Sequence, residues 1–375
     1  MLPGIKRIKT YLYFFITCIF IVIMATVVQS AITGQCSNCH TMHNSQGGAE
    51  MVNLTYGSET TDAKEFLLRG TCLGCHAQNT VNKIESLGGN DVPQVYHRDP
   101  SGDLAGGNFA YIYGIKGSGA SDKKGHNIYD FGDMDTYAQP PGQWHDMSDM
   151  SYFFTCAGSL GCHGIRGGTG SGLQRLDGSH HKNAGDQLDT ADNVYNSYRF
   201  LNAVKGYENN GANKWENLNS TNHNEYFGAT TPMSFTGCIS QSCHDATAKI
   251  RPLNNTMSGF CATCHGYFHF LDSGGQEGVG DDTTSPFIRH PTDLVLPNSG
   301  EYTSYTSYSV VTPVARTNVP AAMSSTVNPG SDVVMCLSCH GAHATDYYKM
   351  MRWDITSTTL ATSISGCGNC HTDKN

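Results

Sequence analysis

A mostly irregular fold, with short α-helices and few strands, is what this sequence predicts, in an elongated body packed around something other than an ordinary apolar core. Two observations predict it. Of 375 residues 42 are glycine and long periodic apolar stretches are few, so about 345 residues after the N-terminal segment lack the sheet or bundle their number would normally allow. The second is cysteine arithmetic: 14 of the 15 cysteines fall into seven clusters, each ending in Cys-His.

Five clusters leave two residues between the cysteines: CSNCH (Cys36, Cys39, His40), CLGCH (Cys72, Cys75, His76), CATCH (Cys261, Cys264, His265), CLSCH (Cys336, Cys339, His340) and CGNCH (Cys367, Cys370, His371). Two are stretched, CAGSLGCH (Cys156, Cys162, His163) and CISQSCH (Cys238, Cys243, His244). C-x-x-C-H is the pattern of thioether attachment, in which two thiols close onto the vinyl groups of one porphyrin and the next imidazole meets the iron. Zinc ribbons also use C-x-x-C pairs, and disulfides use any even count. Neither requires histidine directly after the second cysteine, yet it stands there in every cluster although only 17 residues of the chain are histidine. At the stretched motifs a local disulfide stays open as the alternative, while haem there leaves no orphan thiol outside the N-terminal segment. The expectation is seven haem c groups that supply the missing core.

The remaining thiol, Cys18, lies in the apolar run Tyr11–Val28, which follows Lys6, Arg7 and Lys9 and precedes the small residues Ser30 and Ala31. That order makes residues 1–30 an export signal, with an uncleaved membrane anchor as the alternative because the run is long. Residues 31–375 then form a single multihaem domain, with composition shifts near 135 and 230. Removing residues 1–30 takes away three positive charges, leaving 20 basic against 32 acidic residues, a net charge of −12. Nucleic acid and acidic membrane surfaces are poor partners for such a surface. Cationic or metal-bearing partners and other cytochromes or redox proteins suit it better, and a membrane enters only if the N-terminal segment stays.

Short helices are expected at the motifs, above all in TDAKEFLLRGTCLGCH, where Thr61 or Asp62 can cap and Phe66, Leu67 and Leu68 face inward. DNVYNSYRFLNAVKGYE reads as another helix. NFAYIYGIKG and YTSYTSYSVVTPVA alternate like strands, and QPPGQW is a turn. Met350 and Met351, like the 19 tyrosines, read as packing against porphyrin edges.

With CSNCHTMHNSQ near the start, and SPFIRHPTDLVLP, CLSCHGAHA, MMRWD and CGNCHT toward the end, the chain resembles the multihaem c-type cytochromes with doubled C-x-x-C-H motifs of metal- and sulfur-respiring bacteria. The likeness is strong in the first fifty residues after the export segment and in the last hundred, and vague between. It implies electron transfer across the periplasm or outward to extracellular metal acceptors, and for some relatives assembly into haem-stacked filaments. The stretched third and fourth motifs depart from the pattern.

Beyond the seven proximal histidines ten others remain. His43, His269 and His343 follow a motif histidine by three or four residues and share its helical face, so they can reach only a neighbouring haem. His126 and His290 are distal candidates by the resemblance. His180 and His181 offer at least one ligand, and His223 completes the set. His97 and His145 read as solvated. Seven bis-histidine irons would form an electron carrier with no substrate site and no catalytic residue. The alternative is a multihaem reductase of nitrogen or sulfur oxyanions, which needs one open iron; no C-x-x-C-K variant points to it.

Overall fold

The structure, a computed structural model, describes residues 32–50, 63, 65–77, 81–131, 140–142, 154–158, 160–166, 173–176, 178–230, 253–268 and 290–374. Several expectations lie outside them: the N-terminal segment with Cys18, the caps Thr61 and Asp62, His145, the motif of Cys238, Cys243 and His244, His269, and the composition shift near 135. No helix among the described residues is long and apolar enough to cross a membrane.

Regular structure is scarce and short. The longest described helix is Met257–Ala262, capped by the Thr256 hydroxyl, which accepts from the Gly259 amide at 2.8 Å. Strands run two to four residues. Six of them form one sheet in the order Leu294–Val295, Val333–Val334, Ala315–Arg316, Glu225–Phe227, Gly206–Tyr207, Gln187–Leu188, antiparallel except where Ala315–Arg316 runs parallel to Glu225–Phe227. Buried apolar side chains gather in three separate clusters, around Tyr226 and Met335, around Leu73 and Phe109, and around Leu296 and Val314. The irregular fold class is as expected. No one cluster is the core.

Four element assignments differ, each for a local reason. NFAYIYGIKG is a 3-10 turn at Phe109–Tyr111, because Asn108 caps it by accepting from the Ala110 amide at 3.0 Å. YTSYTSYSVVTPVA starts inside the 3-10 helix Gly300–Ser304 and reaches a strand only at Ala315; its tyrosines recur every third residue, with Tyr305 and Tyr308 buried, a 3-10 period mistaken for alternation. DNVYNSYRFLNAVKGYE breaks into 3-10 turns at Val194–Asn196 and Tyr198–Phe200 and a strand at Gly206–Tyr207, since Arg199, Phe200 and Ala203 take positive φ of 49°, 58° and 69°. In the CLGCH segment only Leu73–His76 is helical, and Leu67 is 52% exposed instead of inward. QPPGQW does turn at Pro141 and Gly142. A hairpin passed unread: Ile84–Leu87 pairs with Asn90–Pro93 about Gly88 and Gly89, whose φ of 58° and 84° suit the two-residue hairpin turn.

The sheet is tied by buried charge. Arg316 donates to Glu225 at 2.8 Å and to Asp332, and Glu225, with no exposed surface, also accepts from the Ser324 amide at 2.7 Å and faces His223 Nε2 at 3.1 Å. These partners hold the Glu225 carboxyl below the usual carboxylate range against the opposing effect of burial. Replacing Arg316→Ala strands a buried carboxylate and is expected to cost about 3–5 kcal/mol, read as a lowered unfolding midpoint. Because the Glu225 pKa is depressed, its contribution is present above the unfolded-state value and fades as pH falls through the folded one, so wild type loses stability in acid more steeply than Arg316→Ala.

Candidate haem-binding centres

Each described two-residue motif closes the same helical turn. The histidine amide donates to the carbonyl of the first cysteine, at 2.7 Å for His40 and Cys36, 2.9 Å for His76 and Cys72, 2.9 Å for His265 and Cys261, 3.1 Å for His340 and Cys336, and 2.9 Å for His371 and Cys367. That bond brings residues i, i+3 and i+4 to one face, so two sulfurs and an imidazole converge. The stretched motif CAGSLGCH reaches the same end differently. Thr155–Ala157 and Gly161–His163 pair in parallel with Thr155 opposite Gly161 and Ala157 opposite His163, which sets Cys156 across from Cys162. The extra residues form the loop between them, turning at Gly158 with φ 115°.

Five of the motif imidazoles face a second imidazole across a nearly constant gap. Ring centres lie 6.2 Å apart for His40 and His181, 6.3 Å for His76 and His180, 6.1 Å for His163 and His343, 6.2 Å for His265 and His126, and 6.3 Å for His371 and His290. Direct ring stacking would close to about 5 Å, within the lower range of paired rings. A metal–imidazole bond of about 2 Å on each side, added to the distance from nitrogen to ring centre, fills a gap of about 6 Å. The residues present fit a six-coordinate iron in each gap. Among the described residues no three of His, Cys, Asp and Glu converge as a zinc site requires, and the twelve described cysteines are free thiols.

The second nitrogen of each described motif ring, and of His126, is occupied. Nδ1 donates to a backbone carbonyl in His40 (Leu67, 3.2 Å), His76 (Pro93, 2.8 Å), His163 (Arg199, 2.8 Å), His265 (Pro141, 2.6 Å), His340 (Lys349, 2.9 Å) and His126 (Ala342, 2.8 Å). In His371 the partner is the Glu301 carboxylate at 3.2 Å. A carbonyl only accepts, so the proton sits on Nδ1 and the Nε2 lone pair is left for metal. Burial favours the neutral form of seven of these imidazoles: it lowers His76, His163, His290 and His340, takes His180 and His265 down to about 4, and His343 to about 3.

Shared strands of chain join one centre to the next. His180 and His181 are consecutive, so they join the His76 and His40 centres. The Cys156 and Cys72 thiols share a hydrogen bond, as do those of Cys261 and Cys336, while Cys162 lies within electrostatic reach of Cys264 and Cys339 of Cys370. Burial pushes the thiols of Cys162, Cys339 and Cys370 up to about 12. His126 donates its amide to the His343 carbonyl at 3.0 Å while Gly125 pairs with Ala344, so the histidines facing His265 and His163 share one bridge. The centres therefore follow one another in motif order, His40, His76, His163, His265, His340, His371.

Of the expected distal residues, His126, His180, His181, His290 and His343 face motif histidines. His343 faces His163 and not His340, which follows from its position one turn beyond its own motif. His43 lies in an exposed turn with φ 56°. His223 stands against the role expected of it: both its nitrogens meet acceptors, Asn219 O at 3.2 Å and Glu225 at 3.1 Å, and its ring stacks on Tyr308 at 3.8 Å. Its alternation with Glu225 on one strand face was the available signal. His97 is fully buried instead of solvated. It accepts from the Asp99 amide at 3.2 Å, and its pKa falls to about 4, from burial first and then from the Lys116 charge. Among the described residues no second imidazole faces His340. Sequence reasoning also passed over Arg166, buried between two centres.

These centres have the form expected of a multihaem c-type cytochrome. Residues 329–375 match the family model for the doubled CXXCH motif. The chain is similar to the C-type cytochrome OmcS of Geobacter sulfurreducens, with 25% identity over 402 aligned residues that cover 91% of this chain and 84% of the relative. Two solved filament structures of OmcS from the same organism align at 20% identity: one covers 91% of this chain and 99% of its own at a TM-score of 0.46, the other 88% and 85% at 0.43.

The pairing yields a direct test. His343→Ala is expected to open one carbon monoxide-binding iron per chain, and site-resolved spectra should assign it to the haem on Cys156 and Cys162. Assignment to the Cys336 and Cys339 haem would contradict the geometry.

Proposed function

We propose that this protein carries electrons outside the cytoplasm, through seven haem c groups in a close-packed row, and that copies assemble into filaments. The constant 6.1–6.3 Å gap between five imidazole pairs is the observation that carries the reading. Haem c supplies the one-electron couple when bound. Everything else is done by the chain. Its cysteine pairs fix where each group attaches, its Nδ1–carbonyl bonds orient the motif imidazoles, and partial burial of rings such as His76, His163, His180 and His343 limits water at the axial positions. Two strong axial ligands on every iron leave no place for a substrate, so transfer and not catalysis is the chemistry this arrangement suits.

In this reading the proximal ligands are the seven motif histidines, and the distal ligands of five are His181, His180, His343, His126 and His290 in motif order. The seventh haem is assigned to Cys238, Cys243 and His244. No described imidazole faces His340; its ligand in this reading is His269, or His43 of another copy, which would make assembly part of the coordination chemistry. Filaments named for OmcS support assembly here. The net charge suits an exported surface meeting cationic or metal-bearing partners and other redox proteins.

Intact mass of the mature protein should show seven haems; five would mean that the two stretched motifs do not carry them. The assembled protein, once reduced, should bind little or no carbon monoxide. Stoichiometric binding at one iron would favour a reductase. His43→Ala should abolish filaments and expose one reactive iron per chain, seen by microscopy and carbon monoxide titration; unchanged filaments would refute the shared ligand.

A further inference from the structure

Nδ1 of His371 differs from its counterparts in what it meets. The five other described motif imidazoles give this proton to neutral backbone carbonyls, whereas His371 gives it to the Glu301 carboxylate at 3.2 Å. The pair is largely enclosed, with the His371 side chain 27% and the Glu301 side chain 18% exposed. The second carboxylate oxygen, Oε2, is buried without a hydrogen-bond partner. Local structure fixes the contact. Glu301 lies in the first turn of the 3-10 helix Gly300–Ser304, and the hydroxyl of Thr372, the residue after His371, donates to the Glu301 carbonyl. The Tyr302 ring meets the same imidazole in a T-shaped contact at 5.1 Å, so two consecutive residues of that helix address one ring.

A carboxylate draws the Nδ1 proton more strongly than a carbonyl does, since a hydrogen bond with an ionised partner is roughly twice as strong as a neutral one. The pull raises the electron density of the ring and makes Nε2 a more basic ligand. Ferric iron gains more from a basic ligand than ferrous iron, because it carries one more positive charge, and the negative charge of Glu301 acts in the same sense. We propose that Glu301, acting through His371, lowers the potential of the haem on Cys367 and Cys370 below the value its two imidazoles alone would give. Glu301 is a positioning residue, and the inference rests on the reading of CGNCH as an attachment site with His371 and His290 as its axial pair. That centre is the last in motif order, so the effect biases the terminal haem to pass its electron inward along the row.

The experiment uses the full holoprotein. Digestion and mass measurement establish whether the peptide with Cys367 and Cys370 carries haem in wild type and in Glu301→Gln, which keeps an oxygen acceptor but removes the charge. In a potentiometric titration followed optically, Glu301→Gln should move one one-electron step upward by about 59 mV, equivalent to a tenfold change in the ferric-to-ferrous ratio. Resonance Raman spectra of the reduced protein report the ligand bond itself. His290→Ala leaves the iron held by His371 alone, and the iron–imidazole stretch that appears should drop in frequency when Glu301→Gln is added. Should Glu301→Gln lose that haem, a comparison that leaves Glu301 intact decides. The stretch in His290→Ala should lie above the one that His126→Ala produces, because His265 gives its Nδ1 proton to the Pro141 carbonyl. An unmoved step in the loaded variant, or equal stretches, overturns the proposal and leaves Glu301 a role in orientation alone. A wild-type peptide without haem, or no new stretch in His290→Ala, overturns the attachment or the axial pairing instead, and the inference with it.

Discussion

The structure depends on one constraint, the gap of about 6 Å that an iron imposes between two imidazoles. An apolar core forgives small displacements, because its driving force is non-directional. An axial pair does not. Each ring must arrive from a different stretch of chain, at a set distance, with Nε2 forward. His163 and His343 are far apart in sequence, as are His126 and His265, yet each pair holds the spacing. Backbone carbonyls set the rings, and so the irregular backbone has a purpose: left-handed residues such as Arg199 turn carbonyls toward imidazoles, here toward His163 at 2.8 Å. A long helix would have spent those carbonyls on its own amides.

This explains which parts could be read from sequence. Cysteines and proximal histidines were legible because attachment is local: i, i+3 and i+4 meet on one turn whatever the rest of the chain does. The distal histidines were legible only as a supply. His343 could be argued, since a residue one turn beyond a motif cannot reach around its own porphyrin. His223 could not be told apart from it, because its partners Glu225 and Arg316 come together only in the sheet. Secondary structure failed where tyrosines at every third residue imitated alternation, and where positive φ at non-glycine residues broke a helical pattern. Backbone bent to serve ligand geometry overrides local propensity.

The same constraint accounts for the order of the centres. A segment that supplies a distal histidine to one iron also belongs to the motif or bridge of another: His343 leaves the CLSCH motif to face His163, and the amide of His126 rests on its carbonyl. Sharing of this kind leaves little room for spacer residues, which is why thiols of successive motifs touch, Cys72 with Cys156 and Cys261 with Cys336. Close packing of the centres is thus a consequence of how ligands are distributed along the chain.

Close packing also leaves a charge problem. Each attached group adds carboxylates to a chain that is already acidic, and the interior between centres has few places to put them. Burying a carboxylate without a partner would be more costly than leaving the site empty. The stretched motif ends differently from the compact ones: the parallel pairing of Thr155–Ala157 with Gly161–His163 runs on into Gly164–Arg166 and brings the guanidinium beside Cys264. A compact two-residue turn would end at the histidine without that extended run.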